Sequence, residues 1–244
     1  MPRNQPKRIG LAIIGAGRVG LFRGDVAARH PQVDWIGIAE TNPARGKLVG
    51  DTIRADFVTA DYRELLKRPE VNAVIVSTDE HLHVEPILAA VERGHSILIE
   101  KPLATDLAQS ARVLQAIEAA KVDAVVGYTQ RFRRRWLAAK EKVRTNALGD
   151  VTLVTSRAFM NRLVAIDNYR RTNNPADISP MVISGTHALD IVMWMMEAKK
   201  PVEVYARSVD KVLGPTWKGI DGTAALITFE DGSLYNAIMS WSLP

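Results

Sequence analysis

The feature that most constrains the fold is a series of short apolar runs that alternate with helical segments through the first half of the chain. These runs lack the polar alternation of a strand with one face in water, so we predict strands buried on both faces. The helical segments supply the crossovers that a parallel sheet requires, and the pattern predicts a doubly wound α/β fold. The predicted strands are 9–14, 33–39, 73–77, 96–99 and 124–127, and the predicted helices are 19–29, 43–54, 84–93 and 107–120.

The pattern changes after Gly127, and the second half is predicted to form a different kind of structure. The hairpin signal at 230–233 joins the last two β-like runs and predicts antiparallel pairing. We place the domain boundary near residue 130, which gives domains 1–130 and 131–244, the second being α+β with a largely antiparallel open sheet. Its predicted elements are a basic helix from Arg131 to about Thr145, a strand from Val151, an irregular polar stretch over 161–180, an apolar helix over 181–196, and β-like runs at 202–209, 223–229 and 234–241.

The composition narrows the class of protein. The 244 residues are 47% hydrophobic and 24% charged, which allows a buried core and excludes disordered and collagen-like chains. The net charge of +5 does not demand nucleic acid. The absence of cysteine excludes disulfides, thiolate metal sites and cysteine nucleophiles, and agrees with a cytoplasmic location. No stretch approaches the ~18 apolar residues of a membrane span, so we expect no membrane insertion.

A glycine-rich turn follows the first predicted strand and opens the first predicted helix. Gly15 permits a tight turn, Gly17 lets the backbone approach a pyrophosphate, and Gly20 allows the helix to pack on the strand. The helix N-terminus offers N–H groups and a positive dipole end to the phosphates. The alternative is that the glycines serve only the turn, but the strand, the helix and a later acidic residue favour a dinucleotide site in a Rossmann-type domain.

That acidic residue is Glu40, which ends the second predicted strand about 20 residues past the turn. A carboxylate here can accept hydrogen bonds from the adenosine ribose hydroxyls and would repel a 2′-phosphate. Glu40 therefore predicts NAD over NADP, with NADP kept open as an alternative because Arg45 lies close in sequence.

Polar residues also follow two further predicted strands, as Ser77-Thr78 and as Glu100-Lys101-Pro102. Ligands bind at the C-terminal edges of strands in open α/β sheets. A lysine just beyond a buried strand is placed to hydrogen-bond the oxygen that is oxidised or reduced, and Pro102 would fix the backbone that aims it. The alternative is an ordinary solvated lysine.

Together these segments resemble the Gfo/Idh/MocA family of glucose-fructose oxidoreductases and inositol dehydrogenases, over nearly the whole chain. The resemblance implies an NAD(P)-dependent oxidoreductase that transfers a hydride between nicotinamide, lying between the domains, and a CH–OH or C=O group of a sugar, cyclitol or related small substrate. The matching segments are 15–20, Ser77-Thr78 with His83 downstream, Gly94-His95 leading to 100–102, 127–132 and 185–190.

The resemblance also implies roles for individual residues. Lys101 matches the family's catalytic lysine, and His187 matches its catalytic histidine, which takes the hydroxyl proton during oxidation. The alternative for His187 is a histidine satisfied within an apolar helix. The predicted cofactor-binding residues are Gly15, Ala16, Gly17, Arg18, Val19, Gly20, Glu40, Arg45, Ser77, Thr78, His83, Glu100, Lys101 and Gln130. The predicted substrate-binding residues are Lys101, Arg131, Tyr169 and His187.

One position departs from the family pattern. Family members commonly carry an aspartate four residues before the histidine, one helical turn back, and here that residue is Ile183. Three interpretations follow: another acid substitutes, such as Asp177 or a group from a neighbouring subunit; His187 works without one; or the activity is lost.

Two other kinds of site are disfavoured. His81 and His83 with Glu85 suggest a metal, but the segment starts a helix and no third ligand cluster follows, so we predict no metal site. The basic run 131–135 followed by Trp136 suggests RNA, but such a run on a helix is usually a solvated face, and we expect an anionic substrate or a neighbouring subunit instead.

The chain ends within an apolar β pattern at 241–244, whereas family members continue further. We therefore expect a truncated sheet with an exposed apolar edge strand, and a homodimer or homotetramer that associates through the sheet. Two functions remain: a dehydrogenase, favoured because Lys101 and His187 are both present, and a catalytically silent dinucleotide-binding protein, favoured by Ile183.

Overall fold

The computed structural model describes residues 8–172, 174–175 and 178–244. The chain divides into two compact units, one that ends at Gly127 and one that runs from Tyr128 to Pro244. The elements of the N-terminal unit are β1 (Ile9–Ile14), α1 (Arg18–Ala28), β2 (Val33–Ala39), α2 (Pro43–Ile53), β3 (Phe57–Thr59), α3 (Tyr62–Leu65), β4 (Ala73–Val76), a 3-10 turn (Glu80–Leu82), α4 (Val84–Glu92), β5 (Ser96–Ile99), α5 (Leu107–Ala120) and β6 (Ala124–Val126).

The strands of this unit form one parallel sheet in the order β3-β2-β1-β4-β5-β6. The direction of the strand order reverses between β1 and β4, and ligands of doubly wound folds bind in the crevice that opens at such a point. The predicted doubly wound fold is confirmed. The sequence patterns did not predict β3 or α3, which are three and four residues long.

Both faces of this sheet are buried, as the apolar runs predicted. Along β1, Ala12 and Ile14 pack into one apolar cluster, whereas Leu11 and Ile13 pack into another on the opposite face. Side chains of a strand point alternately to the two faces, so a strand covered on both sides must be apolar at every position. This packing fixes the carboxyl ends of β1, β4 and β5, where the candidate site residues lie.

The C-terminal unit contains a second sheet with helices. Its elements are a 3-10 turn (Thr129–Phe132), α6 (Arg134–Arg144), β7 (Leu153–Asn161), α7 (Arg162–Arg171), a π-helical turn (Met181–Gly185), α8 (Thr186–Met195), β8 (Pro201–Val209), α9 (Gly214–Trp217), β9 (Gly222–Phe229) and β10 (Leu234–Leu243). No helix among the described residues is both long enough and apolar enough to cross a bilayer.

The second sheet has the order β7-β10-β9-β8. Strand β10 pairs antiparallel with β9, as the hairpin signal predicted, and parallel with β7. The expectation of an exposed apolar edge at the last strand is wrong, because β10 lies inside the sheet. Along β10, Tyr235, Ala237, Met239 and Trp241 are all buried.

Two predictions for the second unit need correction. The stretch over 161–180 was predicted to be irregular, but α7 occupies its first half; Asn161 caps this helix by accepting a hydrogen bond from the N–H of Leu163 at 2.8 Å. Ala165 and Tyr169, four residues apart, bury one face of α7. The helix predicted over 181–196 is a π-helical turn followed by α8.

Candidate active site

The glycine turn lies at the point where the strand order reverses. Gly15 has a φ of 91°, in the left-handed region, and a Cβ there would lie 2.7 Å from the backbone of Ser77 and Thr78. The Ser77 hydroxyl donates a hydrogen bond to the Gly15 carbonyl oxygen at 2.7 Å. Ser77, predicted to bind cofactor, thus ties the ends of β1 and β4 together.

The other two glycines have different surroundings. A Cβ on Gly20 would lie 2.0 Å from the carbonyl oxygen of Gly15, so only glycine lets α1 pack this closely on the turn. A Cβ on Gly17 would meet nothing within 4 Å in the described structure. The open space at the start of α1, beside the exposed residues Arg18 and Val19, is the cradle that a pyrophosphate requires, so the residues present fit a dinucleotide.

Glu40 lies beneath this turn and is 6% exposed. Its carboxylate accepts hydrogen bonds from the N–H of Ala16 at 2.9 Å, the N–H of Asn42 at 2.9 Å and the guanidinium of Arg45 at 2.7 Å. Burial raises the pKa of Glu40, but these hydrogen bonds outweigh burial and hold the pKa below its usual value. Glu40 therefore stays charged and joins the ends of β1 and β2.

Thr78 and His83 follow β4. Among the described residues, no atom forms a hydrogen bond with the buried hydroxyl oxygen Oγ1 of Thr78. The imidazole of His83 is 1% exposed and lies between two backbone carbonyl oxygens, 2.8 Å from that of Pro102 and 3.2 Å from that of Thr78. Burial lowers the pKa of His83. The structure thus places His83 beneath the loops that follow β4 and β5 rather than on their surface.

Lys101 follows β5 and is partly buried; it is joined to Pro102 by a cis peptide bond. The carboxylate of Glu100 accepts hydrogen bonds from Arg23 on α1, at 2.8 Å from Nε and 2.5 Å from Nη2. The sequence reasoning missed Arg23. No local pattern signals this residue, because its partner lies 77 residues away in the sequence.

In the C-terminal unit, His187 is the second residue of α8. The ring of Tyr128 meets that of His187 edge to face, with centroids 6.4 Å apart, and its hydroxyl lies 3.1 Å from that of Thr186. Ile183 is 5% exposed and packs in an apolar cluster, so no carboxylate comes from this position. Asp177, considered above as a substitute, lies outside the described residues.

Two residues of the 3-10 turn Thr129–Phe132 make polar contacts inside the same unit. Arg131 binds Asp190 through Nε at 2.9 Å and Nη2 at 2.6 Å, which raises the pKa of Arg131. Gln130 accepts a hydrogen bond from the indole N–H of Trp136 at 3.1 Å. The sequence reasoning did not use Tyr128 or Asp190 in this way.

Tyr169 is 4% exposed. Its hydroxyl accepts a hydrogen bond from the N–H of Ile220 at 3.0 Å and donates one to the carbonyl oxygen of Ile220 at 3.4 Å. Its ring packs against Trp217 and Trp241. The structure thus places Tyr169 in the core of the C-terminal unit.

Within the described part of the chain, no group of three or more histidine, aspartate or glutamate side chains could hold a metal ion.

Comparisons with known protein families show that both units match one family. Residues 9–128 match the model described as an oxidoreductase family with an NAD-binding Rossmann fold, and residues 136–244 match the GFO/IDH/MocA C-terminal domain. The chain belongs to the Gfo/Idh/MocA family. Its N-terminal unit is the NAD-binding Rossmann domain of that family.

Two curated members of the Gfo/Idh/MocA family illustrate the similarity. The uncharacterized oxidoreductase YrbE of Bacillus subtilis is 27% identical over 231 residues, which are 93% of this chain and 66% of YrbE. An inositol 2-dehydrogenase of Acidothermus cellulolyticus is 32% identical over 204 residues, which are 82% of this chain and 56% of that protein. The chain thus spans about two thirds of the first relative and just over half of the second.

Solved structures show the same Gfo/Idh/MocA fold. The apo scyllo-inositol dehydrogenase of Lactobacillus casei has a TM-score of 0.85 at 20% identity, covering 97% of this chain and 69% of that one. GenD2 from gentamicin A biosynthesis, solved in complex with NAD, has a TM-score of 0.85 at 21% identity, covering 100% of this chain and 69% of that one.

Proposed function

We propose that the protein is an NAD-dependent dehydrogenase that oxidises a secondary alcohol of a cyclitol or sugar, or reduces the corresponding ketone. The observation that carries this proposal lies within the N-terminal unit. A glycine turn with open space at Gly17 and the lysine Lys101 follow β1 and β5, whose carboxyl ends lie at the same edge of one parallel sheet. A dinucleotide site and an amine that can donate a hydrogen bond to the substrate oxygen thus lie at one sheet edge, as hydride transfer to or from an alcohol requires.

The proposed substrate class rests on relatives. One relative is named inositol 2-dehydrogenase, and a solved neighbour from Lactobacillus casei contains NAD(H) and scyllo-inositol. We extend this chemistry to sugars and sugar acids. Assembly into a homodimer or homotetramer and a cytoplasmic location also remain predictions, and so does the domain boundary near residue 130.

The proposed roles follow from the chemistry of each side chain. Bound NAD supplies the carbon that accepts the hydride. The backbone of 15–20 binds the pyrophosphate, and Glu40 fixes that backbone through Ala16. Lys101 Nζ donates a hydrogen bond to the substrate oxygen and stabilises the negative charge that develops there. His187 takes the hydroxyl proton on a ring nitrogen.

Other predicted site residues receive narrower roles in this proposal. Thr78, whose buried hydroxyl lacks a hydrogen-bond partner among the described residues, binds the cofactor. Gln130 and Arg131 stay predictions as cofactor and substrate ligands, and both side chains already have partners within the C-terminal unit. For Tyr169 we favour a packing role over substrate binding, because its hydroxyl bonds to Ile220.

The test is turnover with a panel of inositols, sugars and sugar acids, each offered with NAD or NADP and followed by cofactor absorbance. We expect turnover with NAD, lost by at least ~100-fold in Lys101→Ala. NADH affinity should persist in that variant, and the control Lys67→Ala, which changes an exposed lysine of the same unit, should behave as wild type. NADH binding without turnover on any substrate would instead favour a catalytically silent dinucleotide-binding protein.

A further inference from the structure

The two residues that flank Lys101 are each tied to a different element of the N-terminal unit. On one side, Glu100 accepts two hydrogen bonds from Arg23, which belongs to α1. On the other side, the carbonyl oxygen of Pro102 lies 2.8 Å from Nδ1 of His83, which directly precedes α4. The backbone that presents Lys101 is therefore held from both directions.

Both contacts are shielded from water. The side chains of Arg23 and Glu100 are 20% and 13% exposed, and His83 is 1% exposed. Charge-assisted hydrogen bonds between partly buried groups are shorter and stronger than neutral ones, and removing one partner leaves the other charge poorly solvated. The pair thus fixes the distance between α1 and the end of β5.

Gly127 makes room for this pair. A Cβ at position 127 would lie 3.1 Å from Nη2 of Arg23 and 3.3 Å from the carboxylate oxygens of Glu100. These approaches are tighter than ordinary van der Waals contact. The end of β6 therefore borders the ion pair, and three elements of the unit, α1, β5 and β6, meet at it.

We propose that Arg23 is a positioning residue for Lys101. Arg23 lies on the helix that begins at the glycine turn, and Glu100 immediately precedes the lysine, so this pair sets the lysine relative to the dinucleotide turn. A displacement of about 1 Å at a reacting group can lower the rate by roughly 100-fold, so loss of the ion pair between Arg23 and Glu100 should slow the reaction. The inference rests on the proposed function only because that function assigns Lys101 to catalysis. Whether Arg23 fixes the position of Lys101 can be measured without any turnover.

The experiment compares Arg23→Met, Arg23→Lys, Glu100→Gln and the double variant Arg23→Met/Glu100→Gln in the full chain. The matched control is Arg29→Met, which removes an exposed arginine that binds Asp25 on α1 itself. Two quantities are measured: kcat and KM for NAD with the best panel substrate, and the rate at which a small amine-acylating reagent modifies Lys101, read by peptide mass spectrometry. The exposed Lys67 normalises the activity of the reagent in each sample, and a thermal melt of each variant reports general loosening of the fold.

For Arg23→Met we expect kcat to fall by about tenfold or more, with KM for NAD within about twofold. Lys101 should be acylated several-fold faster than in wild type, on the order of threefold, with Lys67 unchanged. Arg23→Lys should restore part of kcat, because it keeps one charged donor. The double variant should be no worse than either single variant, since the two residues act as a unit.

An unchanged acylation rate of Lys101 in both Arg23→Met and Glu100→Gln would overturn the inference, whatever happens to kcat. If a single variant fails to fold because one charge is left buried, the double variant decides, since it leaves no unpaired charge. A wild-type protein that binds NADH but oxidises no alcohol would contradict the proposed function, and the acylation rates would still decide whether Arg23 positions Lys101.

Discussion

The carboxylate of Glu40 accepts a hydrogen bond of 2.9 Å from the backbone N–H of Ala16, so the residue that ends β2 holds the glycine turn that follows β1. The same carboxylate binds the guanidinium of Arg45 at 2.7 Å. The buried carboxylate of Glu40 thus links Arg45 to the glycine turn, which we propose binds the pyrophosphate.

We predict that Glu40→Ser changes cofactor preference. Removing the carboxylate releases Arg45 from its ion pair and removes the negative charge that would repel a 2′-phosphate. The ratio of the Kd for NADPH to the Kd for NADH should fall by at least about tenfold, measured by titration of cofactor fluorescence. The control is Asp51→Ser, which changes an exposed acid of α2 that binds Lys47. An unchanged ratio would show that Glu40 does not set the preference.

Stability should depend on pH through the same residue. Hydrogen bonds hold the pKa of folded Glu40 below its usual value despite burial, so its contribution is fully present above the unfolded pKa of roughly 4.3 and is lost as pH falls through the folded pKa. The difference in Tm between wild type and Glu40→Gln should be largest near neutral pH and shrink in acid. Thermal melts across this pH range measure the difference in Tm. A difference independent of pH would contradict a lowered pKa of Glu40 in the folded protein.

The first unit could be predicted closely from the sequence because its strands are buried on both faces. That burial leaves no charged residue in β1 or β4 and only the exposed Asp34 in β2, so these apolar runs predict strands of a parallel sheet. Strand β3 was not predicted because three residues are too few to show a periodic pattern. Helix α7 was not predicted because few apolar residues, mainly Ala165 and Tyr169, form its buried face and charged residues surround them.

The site was predictable where a backbone requirement leaves a residue signature. Gly15 and Gly20 are required by a left-handed φ and by a close approach, and glycine alone meets both. The contacts of Arg23 with Glu100 and of His83 with Pro102 could not be predicted in the same way, because each joins residues that are distant in sequence. Glu100 lies 77 residues from Arg23, and no local pattern encodes such a contact.

Asp190 should be needed to hold α8. Asp190 lies on α8, three residues after His187, and is 9% exposed. Its carboxylate accepts hydrogen bonds from the guanidinium of Arg131. Asp190→Asn should lower the free energy of unfolding by about 1–2 kcal/mol, since Arg131 is partly exposed and water compensates part of the loss. Urea denaturation measures this. The control Glu141→Gln breaks an exposed pair with Arg144 and should leave the midpoint unchanged; equal effects of the two would argue against a special role for Asp190.

Tyr169→Phe separates packing from substrate binding. The structure engages the hydroxyl with the backbone of Ile220, so its loss should destabilise the fold by about 1 kcal/mol and leave KM for the substrate within about twofold. Tyr205→Phe is the matched control, because Tyr205 lies on β8 and is 61% exposed. A rise in KM with unchanged stability would instead support the role in substrate binding predicted from the sequence.

Gly17→Ala tests the proposed binding of the pyrophosphate by the glycine turn. Gly17 has a φ of −68°, which alanine adopts freely, and an added Cβ meets nothing within 4 Å in the described structure. The free energy of unfolding should therefore change by less than about 1 kcal/mol. Affinity for NADH should nevertheless fall by about tenfold or more, because the methyl group enters the space that the pyrophosphate requires. Calorimetric titration and thermal melts of the same samples measure both quantities.

Gly20→Ala is the contrasting variant: its Cβ would lie 2.0 Å from the Gly15 carbonyl oxygen, so it should lose stability as well as affinity. Full NADH affinity in Gly17→Ala would place the pyrophosphate elsewhere.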